Sequence, residues 1–100
     1  MKGFQLRILR DATDLDLLDD NVDIEVELSD GRVFSATFFT IENIKSLLCN
    51  YRRSGECANG SYLWAEDMII VEKLTQEVMA TSVDDLIKSG EITTACTEIS

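Results

Sequence analysis

The chain has 100 residues, 45% of them hydrophobic, with a net charge of −10, three cysteines and no histidine. That length suits a single domain spanning 1–100, and the hydrophobic share is enough for a packed core. The missing histidine excludes Ser-His and Cys-His catalytic pairs and histidine metal sites, and no apolar run approaches the ~20 residues that span a bilayer.

Phe4, Leu6 and Ile8 alternate with Gln5 and Arg7, the period of a half-buried strand. "DATDLDLLDDN" follows at 11–21, with five aspartates and no basic residue. Leu15, Leu17 and Leu18 within it suit a short helical turn, so the segment reads as a loop with local helix. Val22, Ile24, Val26 and Leu28 then alternate with Asp23, Glu25 and Glu27, the clearest strand of the chain.

Asp30-Gly31 signals a hairpin returning through 33–39, and its register can be argued. A two-residue loop would set Glu25 on the same face as Phe34, Ala36 and Phe38. A three-residue loop, Ser29-Asp30-Gly31, with a left-handed Gly31 in a bulge, sets Val26 against Phe34, Ile24 against Ala36 and Val22 against Phe38. The second register gathers the apolar residues on one face and is the one expected.

Thr40 caps a helix from about Ile41 to Arg53, with Ile44, Leu48 and Tyr51 on one side and Gly55 as its stop. Glu56–Gly60 reads as a loop and "SYLWA" as a strand. The unbroken Met68–Val71 run reads as a strand covered on both faces. Thr75 caps a second helix reaching about Ser89, lined by Met79, Val83, Leu86 and Ile87 and ended by Gly90. In the tail Ile92, Thr94 and Cys96 alternate like a strand, whereas Ile92, Cys96 and Ile99 suit a helix. The threonines favour the strand. The resulting order, βββαββα with a further C-terminal strand, implies an α+β domain. Its sheet is mainly antiparallel, with two helices packed on one face.

Nine of the nineteen acids lie between Asp11 and Asp30, where there is no Lys or Arg. Such a surface repels nucleic acid and anionic membranes and suits a basic protein partner. Asp14, Asp16, Asp19, Asp20, Asp23, Glu25 and Glu27 are its candidate binding residues. Asp14 and Asp16 match the first two positions of a calcium loop, but Leu18 and Asp19 replace its third ligand and its glycine. No metal or other cofactor is expected, and no second group accompanies the carboxylates to complete a catalytic site.

Three cysteines without C-x-x-C argue against a disulfide framework or thiolate zinc site. With no apolar segment of signal-peptide length at the start, a cytoplasmic protein is expected. Arg52 and Arg53, three and four residues past Cys49, suit the end of a helix dipole. Tyr62 and Trp64 share a strand face, either as packing beneath a helix or as an exposed interface.

"VELSDGRVFSATFFTIENI" followed by "SYLWAEDMIIVEKLT" resembles short uncharacterised bacterial proteins. In size and charge the chain is similar to toxin-immunity proteins and mobile-cassette products. The resemblance brings no functional residue with it. Three functions are expected in order. The first is a non-enzymatic protein-binding domain that inhibits a basic partner such as a toxin. The second is a structural homodimer, and the third a small-ligand-binding protein with a pocket between sheet and helix.

Overall fold

A computed structural model describes residues 3–100. The chain is α+β. Strands β1 (Phe4–Ile8), β2 (Asn21–Leu28) and β3 (Val33–Thr40) form an antiparallel meander. β4 (Met68–Val71) and β5 (Thr97–Glu98) share the outer edge of β3, end to end. β4 runs parallel to Thr37–Thr40, and β5 runs antiparallel to Phe34–Ser35. The helices are α1 (Ile41–Ser54), α2 (Glu56–Gly60), α3 (Gln76–Ser89) and α4 (Ile92–Ala95).

The hairpin adopts the three-residue loop. Leu28 N donates to Arg32 O at 2.8 Å, Gly31 N donates to Leu28 O at 3.0 Å, and Gly31 takes a φ of 93°. Val26 pairs with Phe34, Ile24 with Ala36, Val22 with Phe38, and Glu25 with Ser35. A side-chain period of two leaves this register as the one that keeps carboxylates out of the apolar face.

The core therefore lies on one side of the sheet. Phe4, Val22, Ile24, Val26, Leu28, Phe34, Ala36 and Phe38 meet Leu74, Met79, Val83, Ile92 and Cys96 there. Val83 and Met79 are buried on α3, and Val78, Leu86 and Ile87 pack at the margin of the same cluster. α1 supplies nothing to this cluster among the described residues.

Both long helices begin and end as their local chemistry directs. Thr40 Oγ1 accepts from Asn43 N at 3.0 Å, and Thr75 Oγ1 accepts from Val78 N at 3.2 Å. Gly55 and Gly90 close the two helices in left-handed torsions.

Four segments differ from the sequence reading. The 56–60 loop is a left-handed turn: Cys57, Ala58 and Asn59 all have φ between 49° and 59°. Gly60 follows it at φ 77°, and a Cβ there would lie 2.4 Å from Leu48 O, so only glycine lets the turn close on α1. Tyr62–Ala65 forms no strand. The place beside the C-terminal half of β3 belongs to β4, so the "SYLWA" residues find no ladder to join. The tail is a helical turn over Ile92–Ala95 before the two-residue β5, because Ile92 and Cys96 both reach the core. Met68–Val71 is a strand, but it is not covered on both faces: Ile70 is 56% exposed.

Candidate functional site

Strand alternation turns Asp23, Glu25 and Glu27 away from the core, onto the sheet's second face. Ser35 and Thr37 of β3 stand beside them, and Arg7 of β1 lies directly opposite Glu25. Arg7 Nη1 donates to Glu27 Oε1 at 2.9 Å and Nε to Glu25 Oε1 at 3.4 Å. The hydrogen bond that Arg7 donates to Glu27 is the main reason its guanidinium lies above its usual pKa; burial opposes it and Glu25 adds to it. Thr37 Oγ1 donates to Asp23 at 2.7 Å. Three carboxylates against one guanidinium leave this row a net charge of −2.

The aspartate segment answers to a different logic. Asp11 caps a 3-10 turn at Ala12–Asp14 and accepts from Thr13 N at 3.0 Å, which lowers its carboxyl pKa. Asp16 Oδ1 accepts from Leu18 N and Asp19 N, shaping the next bend. Asp19 reaches α1: its carboxylate accepts from Ser46 Oγ at 2.8 Å and Asn43 Nδ2 at 3.3 Å. Asp20 accepts from Asp16 N and Asn21 N and pairs with Arg10. Burial pushes the Asp20 carboxyl upward, but these hydrogen bonds and the Arg10 charge outweigh it and leave the pKa lowered. Asp14 is exposed on the 3-10 turn.

Six of the seven candidate acids thus form two groups, and Asp14 stands apart on its 3-10 turn. Asp23, Glu25 and Glu27 line one strand face. Asp16, Asp19 and Asp20 carry the hydrogen bonds that fold the loop and dock it on α1. The stretch is also less uncompensated than it reads in sequence, since Glu25 and Glu27 meet Arg7, Asp20 meets Arg10 and Asp30 meets Arg32. Sequence reasoning missed Arg7 as part of the site. Its polar phase on β1 was the available signal, and it needed the β1–β2 pairing to become informative.

A shallow hollow of about 340 Å³ opens between Leu9, Asp23, Ser35, Thr37, Glu66 and Asp67. It lies on the acidic side of the sheet and not between sheet and helix. Thr97 Oγ1 donates to Asp67 at its rim. Among the described residues no three His, Cys, Asp or Glu side chains gather in a way that could hold a metal ion. No helix of the described residues is long and apolar enough to cross a membrane.

Tyr62 and Trp64 are exposed, Trp64 by 73%, so neither packs beneath a helix. Cys49, Cys57 and Cys96 are free thiols, and Arg53 Nη2 lies 3.7 Å from Cys49 Sγ on the exposed side of α1. No family model, curated protein or solved structure matches the chain.

Proposed function

We propose that the chain is a non-enzymatic protein-binding domain that docks a basic partner, such as a toxin it inhibits, against the acidic face of its sheet. The observation that carries this reading is the row Asp23, Glu25 and Glu27, on the face turned away from the α3 core. Arg7 fixes Glu25 and Glu27 in place, so little side-chain freedom is lost when a cation approaches. A flat acidic row with one rigidifying guanidinium suits a protein surface better than a small molecule, which prefers a concave, largely apolar site. The hollow beside it is open and lined by three carboxylates.

Exposed charges act mainly on association rate and are screened over ~8 Å at physiological salt. Capture from the host lysate with the parent chain and with Glu25→Gln/Glu27→Gln is the test. The parent is expected to retain a basic protein at low salt and to bind it more slowly as salt rises. The double variant is expected to lose at least tenfold in association rate while keeping its fold. Equal capture by both chains at low salt would refute the acidic docking face.

A further inference from the structure

The two outer edges of the sheet differ. β1 carries Arg7 and Gln5 between its apolar residues, whereas β4 is Met-Ile-Ile-Val with no charge at all. Natural proteins usually blunt a free edge with charge, proline or a bulge, because unpaired N–H and C=O groups recruit another strand. β4 has none of these within its four residues. Among the described residues it pairs with β3 alone, and no loop residue hydrogen-bonds to its backbone from the other side. Ile70 projects from it 56% exposed, on the face shared with Phe39.

We propose that β4 is a self-association edge, and that two copies of this chain pair β4 against β4, antiparallel, about a two-fold axis at Ile70.

The occupant follows from register and charge. The outward backbone groups of one strand belong to residues of one parity, so a two-fold antiparallel ladder pairs residues of like parity and centres on a residue. Centred on Ile69, it would set Glu66 opposite the partner's Glu72, a like-charge pair made twice. Centred on Ile70, it sets Asp67 at the position of the partner's Lys73, also twice, and stacks Ile70 on its symmetry mate. Parallel pairing would place Asp67 beside Asp67 and Lys73 beside Lys73. The antiparallel Ile70 register is thus the self-complementary one.

A four-residue strand buries too little by itself, since a specific interface needs about 1,000 Å². Tyr62 and Trp64 stand exposed on the segment leading into β4. A fully covered ring of this kind buries roughly 150–250 Å², and Tyr62 and Trp64 keep 52% and 73% of their surface exposed, so four of them across a two-fold supply part of the remaining area.

Sedimentation equilibrium from ~1 to ~300 µM reads the association. The parent is expected to shift from monomer to dimer over this range. Ile70→Lys is expected to weaken the dimer at least tenfold with an unchanged circular dichroism spectrum, and Lys73→Glu to weaken it about threefold or more. A register test stands apart from those variants. In a Cys49→Ser/Cys57→Ser background, Ile70→Cys is expected to form an intermolecular disulfide under mild oxidation, because directly opposed Cα atoms lie about 4.5–5.5 Å apart. Glu72→Cys, opposite Met68 of the other copy, is expected not to cross-link. A chain that stays monomeric throughout overturns the proposal. So does a dimer indifferent to Ile70→Lys, or one that cross-links through Glu72→Cys and not Ile70→Cys.

Discussion

α1 and α3 are nearly the same helix by local criteria and opposite ones in their surroundings. Each has 14 residues, a threonine N-cap bonded three residues on, an acid in the first turn, a base in the last and a left-handed glycine behind it. α3 buries Met79 and Val83 in the core. α1 buries only Asn43, and that residue is held by polar partners: Asn43 Oδ1 accepts from Asn21 Nδ2 at 2.8 Å, and its Nδ2 donates to Asp19. Ile44, Leu47, Leu48 and Tyr51 stay half-buried outside the main cluster. Amphipathic spacing shows that a helix has a face to cover, and capping shows where it starts and stops. Neither states what covers it. α3 is held by hydrophobic burial, α1 by its caps, the aspartate loop and the glycine contact at its far end.

The sharpest way to break this contrast is to truncate each apolar face. Met79→Ala is expected to cost about 2–5 kcal/mol, the range for emptying a buried aliphatic site, and to abolish cooperative folding in a domain this small. Leu48→Ala is expected to cost about 1 kcal/mol or less, since its site is already part-hydrated. Urea unfolding of both variants at low protein concentration checks the pair, and equal losses would erase the distinction.

Gly60 probes the far end of α1. Gly60→Ala adds a Cβ that meets Leu48 O at 2.4 Å and holds a non-glycine residue at positive φ. A loss of about 1–3 kcal/mol is expected. Hydrogen exchange should show it as faster opening of residues 48–61 with β2 and β3 unaffected. Uniform acceleration across the sheet would mean that α1 and the core unfold as one unit.

The two caps give a smaller difference. Thr40 is fully buried, and its Oγ1 accepts from both Asn43 N and Asp20 N. Thr75 accepts from Val78 N and is only part-buried. Thr40→Ala is expected to cost about 2 kcal/mol and Thr75→Ala about 1. Thermal denaturation reads both, and a larger loss at Thr75 would contradict the role of Thr40 in joining the aspartate loop to α1.

The cysteines report the same division with the least perturbation. Cys49 on α1 is exposed, whereas Cys96 is buried beneath the sheet. Burial, reinforced by the charge of Asp67, pushes the Cys96 thiol up to about 11. Iodoacetamide at pH 8 is expected to label Cys49 first and Cys96 last, with mass spectrometry following each site. The unfolded thiol titrates near ~8.5, below the folded value. Stability is therefore full below that pH and declines as pH rises toward about 11, because the unfolded chain releases its proton first. Cys96→Ala should flatten that alkaline limb. An unchanged limb would show that Cys96 is not its source.

What the sequence by itself determined was local. Period-two alternation located β1, β2 and β3, and the side-chain sorting it demanded selected the Ser29–Gly31 loop and every pair of the β2–β3 register. The threonine and glycine positions marked both long helices to within a residue, because a cap satisfies backbone groups only a few residues away. The tertiary structure decided whatever depended on distant partners. "SYLWA" has strand composition, yet the edge of β3 was already occupied by β4, and a strand without a ladder leaves its backbone groups unpaired. The acids of β2 looked uncompensated until β1 brought Arg7 across to Glu25 and Glu27. That the loop's own N–H groups and α1 take up oxygens of Asp16, Asp19 and Asp20 was likewise visible only in the folded chain. Alternation and capping act through neighbours along the chain. Edge occupancy and charge pairing are settled in space, between residues that no short window of sequence contains.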